Sequence, residues 1–478
     1  LQPDQLQLAP PRGLAILLLM AGAQFMVVVD ETVVNVALPS IAGDLRLDTG
    51  ALSWLVNAYL LFFGGFLLVS GRLADLLGRR RLFLAGLALF AVASAVCGLA
   101  GSGGQLTVAR GAQGLGAALM SPTALSILTT TFHDQAGRRR ALAVWGALLG
   151  LGATAGVLLG GVIVQSLTWR WIFFVNVPIA IVIGVGTLLA VPGIREGVAA
   201  KVDVVGATLV TAASLLLVRT TIGVSSLGIT DQATLTGFAA TAVLLVIFVI
   251  QQRRSTNPLV PRQVAGSRTV RVADVCVAAV SAVLFGGFFM ITLWMQLVQG
   301  WGPLRSGLAW APQGLMVAAV SGVAAKLMPV LGGRALAFSG FLLAALAQLL
   351  FLRLPVEGDY ATQLLPALLV NATGLGLILV PLAVAALDGI SHENQGVASG
   401  LLSTAQQLGG AVGLAALVSL AAARFESQTE AGVATAQASV DSFHLVFWVS
   451  AVILLAAAAL SLRLPALRQQ TDLAVLVH

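Results

Sequence analysis

Fourteen apolar runs, each roughly twenty residues long and so each the length of a membrane crossing, follow one another along the 478-residue chain. At about 1.5 Å of rise per residue, a helix of that length crosses the ~30 Å hydrocarbon core of a bilayer. The runs fall at approximately 14–38, 51–71, 82–100, 105–128, 141–165, 171–191, 203–222, 233–252, 271–297, 307–329, 334–353, 362–387, 396–420 and 443–465. Backbone polar groups in hydrocarbon find no water, so only helices and closed barrels span it. Barrel strands are segments of about 10 residues that alternate in polarity, and these runs are continuous. The expected fold class is therefore an all-α polytopic membrane protein with 14 transmembrane helices. Only 9% of residues are charged and 58% are hydrophobic, with a mean hydropathy of +0.97; a soluble domain carries roughly 25% charge.

Orientation follows from the cations. With the N-terminus inside, about nineteen of the 26 Lys and Arg residues fall on inside loops or tails, as the positive-inside rule requires. Both termini are expected in the cytoplasm. The same bias accounts for the net charge of +7, and no aromatic residues stack beside the basic clusters, so no nucleic-acid partner is expected. Cys97 and Cys276 lie inside apolar runs without companions at ligand spacing; they read as packing residues, with no metal and no cofactor implied. The apolar run after Arg12 continues to Pro39, too long for a cleavable signal peptide. Nearly every basic residue is Arg, which hints at a GC-rich bacterial genome and an inner (cytoplasmic) membrane.

The longest polar linker, 253–271, separates eight spans from six, and 192–202 is a shorter break after the sixth. The expected division is an N-terminal six-helix unit at 14–191, two linking helices at 203–252 and a C-terminal six-helix unit at 268–465. Two such halves would enclose a site at their interface near the midplane.

Several stretches carry more than hydropathy. VVVDETVVNVALP, residues 27 to 39, places Asp30 and Glu31 side by side in the first span, where one charge costs roughly 2.5–3.5 kcal/mol on insertion scales. In LTVARGAQGLG, Arg110 lies inside the fourth span. It either snorkels to the outer headgroups or finds a buried partner. Asp30 and Glu31 sit at a similar depth, ~12–15 Å below the outer end. GRLADLLGRRRLF, residues 71 to 83, contains Gly71, Arg72, Asp75, Gly78, Arg79 and Arg80 in an inside loop. The 388–395 loop carries Asp388 and Glu393 but no cation, so the basic loop is expected to dock there as a cytoplasmic gate. GATAGVLLGG supplies Gly152, Gly156, Gly160 and Gly161, whose spacing suits close helix packing. WRWIFFVNVP, residues 169 to 178, reads as an outer aromatic belt.

Together these motifs resemble the major facilitator superfamily, specifically its fourteen-span drug:proton antiporter group. Gly71, Asp75, Gly78 and Arg79 match the loop signature, and Arg110, Gln113, Gly114 and Gly116 match the fourth-span signature linked to proton transfer. Asp30, Thr32, Asn35, Ala37 and Pro39 match the first-span signature, as does WRWIFFVNVP for its own region. The resemblance covers nearly the whole chain. It implies two six-helix bundles, two inserted helices and alternating access. It further implies export of lipophilic or cationic small molecules in exchange for protons. No nucleophile–base arrangement, metal-ligand spacing or phosphate loop appears, so no enzymatic activity is expected. Two departures stand out: Val157 occupies a place where relatives have Pro, and Gln406 one where relatives often have Arg.

Residues 7 and 4 apart share a helix face, so Gln24, Glu31 and Asn35 form one polar stripe, with Asp30 about 100° away. Periodicity nominates Glu31 as the cavity acid and the family pattern nominates Asp30. Two arrangements stay open: both acids line one cavity, or one pairs with Arg110 while the other titrates. The expected proton-coupling group is Asp30, Glu31 and Arg110. The expected substrate cavity draws on Gln24, Asn35, Gln113, Trp294, Gln296, Asn371 and Gln407. Membrane lipids are the surrounding partners, and a monomer is expected. The competing readings are a dedicated exporter of one endogenous metabolite or lipid, and a non-transporting membrane sensor on the same scaffold.

Overall fold

The apolar runs become helices because a helix satisfies its own backbone hydrogen bonds. The computed structural model describes residues 10–132, 135–192, 203–228, 230–255, 258–391 and 394–465. Its first half comprises α1 (Pro10–Leu45), α2 (Thr49–Leu77), α3 (Arg79–Gly98), α4 (Gly103–Thr131), α5 (Gln135–Ser166), the short α6 (Trp171–Phe174) and α7 (Asn176–Ala190). Then come α8 (Val204–Leu227), α9 (Gln232–Arg254) and the short α10 (Arg262–Gly266). The second half comprises α11 (Arg268–Leu293), α12 (Pro303–Leu331), α13 (Gly333–Phe351), α14 (Leu365–Leu387), α15 (Gln395–Glu430) and α16 (Thr435–Ser461). Single π-turns, Trp294–Val298 and Tyr360–Leu364, extend α11 and precede α14. No strand occurs among the described residues.

Among the described residues, 11 helical stretches are long and apolar enough to cross a membrane, against the expected fourteen. The other three long helices are α4, α5 and α8, of which α5 and α8 contain shorter apolar stretches at Thr154–Ser166 and Thr208–Val224. The physical reason is visible in α4, whose buried face includes Arg110, Gln113 and Thr123. A helix surrounded by protein has no need to be apolar all round.

The two halves repeat one set of pairings. α3 packs on α4 as α13 packs on α14, α2 on α4 as α12 on α14, and α1 on α5 as α11 on α15. α3 also meets α7 as α13 meets α16. Glycines set these crossings. A Cβ on Gly116 would lie 2.6 Å from the Phe90 nitrogen, and one on Gly374 would lie 2.6 Å from the Ala344 nitrogen. Gly86 faces Gly116, and Gly340 faces Gly374, in the same way. Gly156 and Gly160 of α5 close on Val29 and Val33 of α1, while Gly409 and Gly413 of α15 close on Ala278 and Ala282 of α11. Gly152 packs against Val28 and Gly161 against Pro303 and Leu304 of the other half. The α2–α3 and α12–α13 junctions are each one residue, Gly78 with φ 85° and Gly332 with φ 83°. These are left-handed backbone positions that suit glycine.

Contacts between halves run along α2–α15 and α5–α12, with α1 also touching α11. α8 packs on α9 and against both α2 and α15. The Thr211 hydroxyl on α8 donates to the Gly65 carbonyl at 3.2 Å, and the Ser419 hydroxyl of α15 donates to the Thr221 carbonyl at 2.9 Å. Large apolar side chains such as Val108, Val182, Leu189 and Val330 stay exposed, as a lipid-facing surface requires.

Two contacts are described at the loops expected to form the gate. Arg80 donates to the Leu188 carbonyl at 2.8 Å, at the C-terminal end of α7 where a cation complements the helix dipole. That contact stays within the first half. Among the described residues, the 388–395 loop meets the linker: Gln263 of α10 accepts from Ser391 at 2.9 Å and Asn394 at 2.7 Å. Val264, Val270, Ile390 and Ala398 form a small apolar cluster beneath. The described part of the loop therefore docks on α10. Gly71 lies within α2, and Glu393 and the side chains of Arg72 and Asp75 lie outside the described residues.

Candidate functional site

One polar cluster lies in the core of the first half, built from five helices. The Arg110 guanidinium of α4 donates to Asp30 of α1 at 2.6 Å, forming an ion pair whose side chains are 1% and 0% exposed. Arg110 does not snorkel. It also donates to Gln113 Oε1 at 2.7 Å and to the Leu55 carbonyl of α2 at 3.3 Å. Its Cζ lies 4.3 Å from the centre of the Tyr59 ring, a cation–π arrangement strengthened by desolvation. Gln113 in turn donates to Asp30 Oδ1 at 2.7 Å and to Ser94 of α3 at 2.6 Å. Asn176, the first residue of α7, donates to Asp30 Oδ1 at 2.8 Å.

Each oxygen of Asp30 thus accepts from a positioned donor. A buried charge persists only when paired and hydrogen-bonded, and this one is both. The cluster gains its closeness from small residues: a Cβ on Gly114 would collide with the Tyr59 backbone, so glycine there lets α4 approach α2.

Glu31 points elsewhere, as its 100° offset requires. It is half-buried, and Gln407 of α15 donates to its Oε1 at 3.2 Å. The bond crosses between the two halves. A second crossing lies further along α1, where Gln296 donates to the Val36 carbonyl at 3.0 Å. The structure therefore separates the two acids: Asp30 closes the core of one half, and Glu31 faces the seam.

The remaining residues expected in a substrate cavity scatter. Gln24 accepts from Ser121 at 2.5 Å and joins α1 to α4. Asn35 bonds back to the Glu31 carbonyl at 3.2 Å. Gln113 belongs to the ion-pair cluster. Trp294 is 1% exposed, donates to the Pro355 carbonyl at 3.0 Å and stacks edge-on against Trp301, at the point where α11 gives way to the π-turn. Asn371 lines a cavity inside the second half. Gln296 and Gln407 alone reach the seam.

Sequence reading missed Ser94, Tyr59 and Asn176. Asn176 carried the one usable signal, a lone amide in an apolar run, but it stood inside an aromatic motif that reads as an interface belt. That motif does both jobs. Its Trp169 and Arg170 donate to Asp44 at 3.0 and 2.6 Å, tying the end of α1 to the start of α6, while Asn176 reaches into the core.

Comparison with known proteins adds three findings. The family model described as Major Facilitator Superfamily matches residues 20–414. The chain is 37% identical over 464 residues to the cephamycin export protein CmcT of Amycolatopsis lactamdurans, covering 95% of this chain and 93% of that protein. It is 36% identical over 408 residues to the puromycin resistance protein pur8 of Streptomyces alboniger, covering 85% and 80%. In fold it is similar to the crystal structure of an auto-inhibited POT family peptide transporter, with a TM-score of 0.70 at 17% identity, over 96% of this chain and 98% of that one.

Proposed function

The chain belongs to the major facilitator superfamily, and on that premise we propose that this transporter is a proton-coupled antiporter exporting lipophilic or cationic small molecules by alternating access. Its role is transport, not catalysis. Protons are the coupling ion and no cofactor takes part. The relatives named for puromycin resistance and cephamycin export support the substrate class. The membrane is the bacterial inner membrane, crossed fourteen times with both termini in the cytoplasm. For α4 and α5, support for crossing comes from the repeat: α14 and α15, which make the same pairings, lie within apolar stretches of spanning length. The cation distribution supports the orientation.

The observation that carries the coupling is the division of labour between adjacent acids. Asp30 and Arg110 cancel each other inside the first half. Glu31 is left as the uncompensated acid at the seam, held by one bond to the other half. A neutral, protonated Glu31 suits a closed seam. An ionised Glu31 favours an open, hydrated one, or a cationic substrate beside it, because an unpaired charge is costly to bury. A proton moving inward supplies ~1.4 kcal/mol per pH unit and ~2.3 kcal/mol per 100 mV. Asp30, Arg110 and Gln113 act as the frame that orients this helix.

The test is transport in proteoliposomes under imposed pH gradients, on wild type, Glu31→Gln and Asp30→Asn. Glu31→Gln is expected to bind substrate but lose uphill export. Full gradient-driven export by Glu31→Gln removes that acid from the mechanism. A second reading, a dedicated exporter of one metabolite, is favoured by the match to the cephamycin export protein across 95% of this chain. A drug-sensitivity panel separates the two: resistance to a single compound class selects the dedicated exporter.

A further inference from the structure

The repeat places a second polar group in the other half, at the positions that correspond to the ion-pair cluster. Counting from the matched glycines, Gln348 stands as far after Gly340 as Ser94 does after Gly86. Asn371 and Leu368 stand as far before Gly374 as Gln113 and Arg110 do before Gly116. Gln313 precedes Gly332 by the same interval as Tyr59 precedes Gly78. Asp30 follows Val29, and its counterpart after Ala278 is Ala279. Charge has gone from both members of the pair, yet amides remain around it.

Two of those amides, Gln313 and Gln348, leave an oxygen unpaired among the described residues. Gln313, Gln348, Asn371 and Trp310 line one cavity between α11, α12, α13, α14 and α16. Gln348 is 2% exposed, Trp310 5% and Gln313 7%. Gln348 Oε1, Gln313 Oε1 and Trp310 Nε1 are buried with no hydrogen-bond partner among the described residues. A buried polar atom left unpaired costs about 1–3 kcal/mol, and three around one cavity call for a common partner. The rest of the wall is apolar, including Phe288, whose ring centre lies 4.3 Å from that of Trp310. No charged side chain lines the cavity, which disfavours an ion.

We infer that this cavity is a binding site for one small neutral O–H group, held by Gln313, Gln348 and Trp310. The chemistry matches atom by atom: a hydroxyl oxygen accepts from the indole N–H and donates to an amide oxygen, and a water molecule donates to both. Water and a hydroxyl of the exported compound share this chemistry. The second source rests on the export reading above; the first does not. In the first half the same location is closed by charge, so the O–H site gives the second half a polar core without an ion pair.

The full chain in nanodiscs and proteoliposomes tests this, with puromycin as a hydroxyl-bearing probe and tetraphenylphosphonium as a probe lacking any O–H or N–H. A high-resolution cryo-electron microscopy map of wild type is expected to show density within hydrogen-bond reach of both glutamine amides. Gln313→Met and Gln348→Met are each expected to lower the unfolding temperature, and the double variant to lower it by less than their sum. If the occupant is a substrate hydroxyl, Gln348→Met raises the KM for puromycin about tenfold, the loss of one hydrogen bond, and leaves that for tetraphenylphosphonium unchanged. If it is water, both KM values hold while the non-additivity persists. A map with resolved side chains and a bare cavity, together with additive variants, overturns the inference. Wild type that transports neither probe breaks the export reading instead, and leaves density and unfolding temperature to decide the site.

Discussion

The two halves of this protein share their joints and differ in what the joints enclose. Gly86 against Gly116 and Gly340 against Gly374 bring the third and fourth helices of each half to the same closeness. Inside that common frame the first half buries Asp30 and Arg110, and the second half has Ala279 and Leu368. Packing geometry here is carried by small residues, through backbone approach, and leaves the enclosed chemistry free to diverge. The first half uses the freedom to hold a charge pair, and with it to aim the neighbouring Glu31 at the seam. The second half keeps amides around a cavity and contributes Gln407 to receive that acid.

The comparison can be broken most severely at the ion pair. Arg110→Met strands a buried carboxylate, and a loss of about 3–5 kcal/mol is expected; Leu368→Met at the matching place should cost under about 1.5 kcal/mol. Thermal unfolding of the purified variants measures both. Adding Asp30→Leu to Arg110→Met should recover much of the loss, since removing both partners spares the desolvation penalty. Next come the joints. Gly116→Val and Gly374→Val should each cost about 1–3 kcal/mol through overpacking, and by similar amounts. A variant tolerated in one half alone would show that the two crossings are not equivalent. Glu31→Gln should change stability by less than about 0.5 kcal/mol, because an amide still accepts from Gln407, while transport loses its dependence on the pH gradient. Asp44→Asn marks the low end: its pair with Arg170 is 47% and 33% exposed, so no measurable change in unfolding temperature is expected.

Much of the fold was legible because a membrane leaves the chain so few choices. Continuous apolar runs of spanning length have to be helices, and the structure has a helix over each of them. The depth of Asp30 and Arg110 followed from the helical rise, and the structure pairs them across two elements. What the sequence did not disclose depends on which face meets which neighbour. Asn176 looked like part of an aromatic belt because nothing local marks a side chain that reaches inward from a helix start. Trp294 looked like a chamber residue because hydropathy does not mark which way a buried indole turns, and the structure aims its N–H at the Pro355 carbonyl. The docking of α10 beneath the 388–395 loop turns on Gln263, an uncharged residue, whereas the reading of the loops weighed charge alone. The amides of the second half became meaningful only after the glycine contacts aligned the two halves, since the matched residues differ in kind.

The position of α8 has a consequence for how the protein meets the bilayer. Hydrogen-bonded to α2 through Thr211 and to α15 at Thr221, it lies like a batten over one lengthwise gap between the halves, with α9 outside it. The opposite gap, along α5 and α12, has no such cover among the described helices. The molecule thereby presents a front and a back to the membrane although its two halves are built alike.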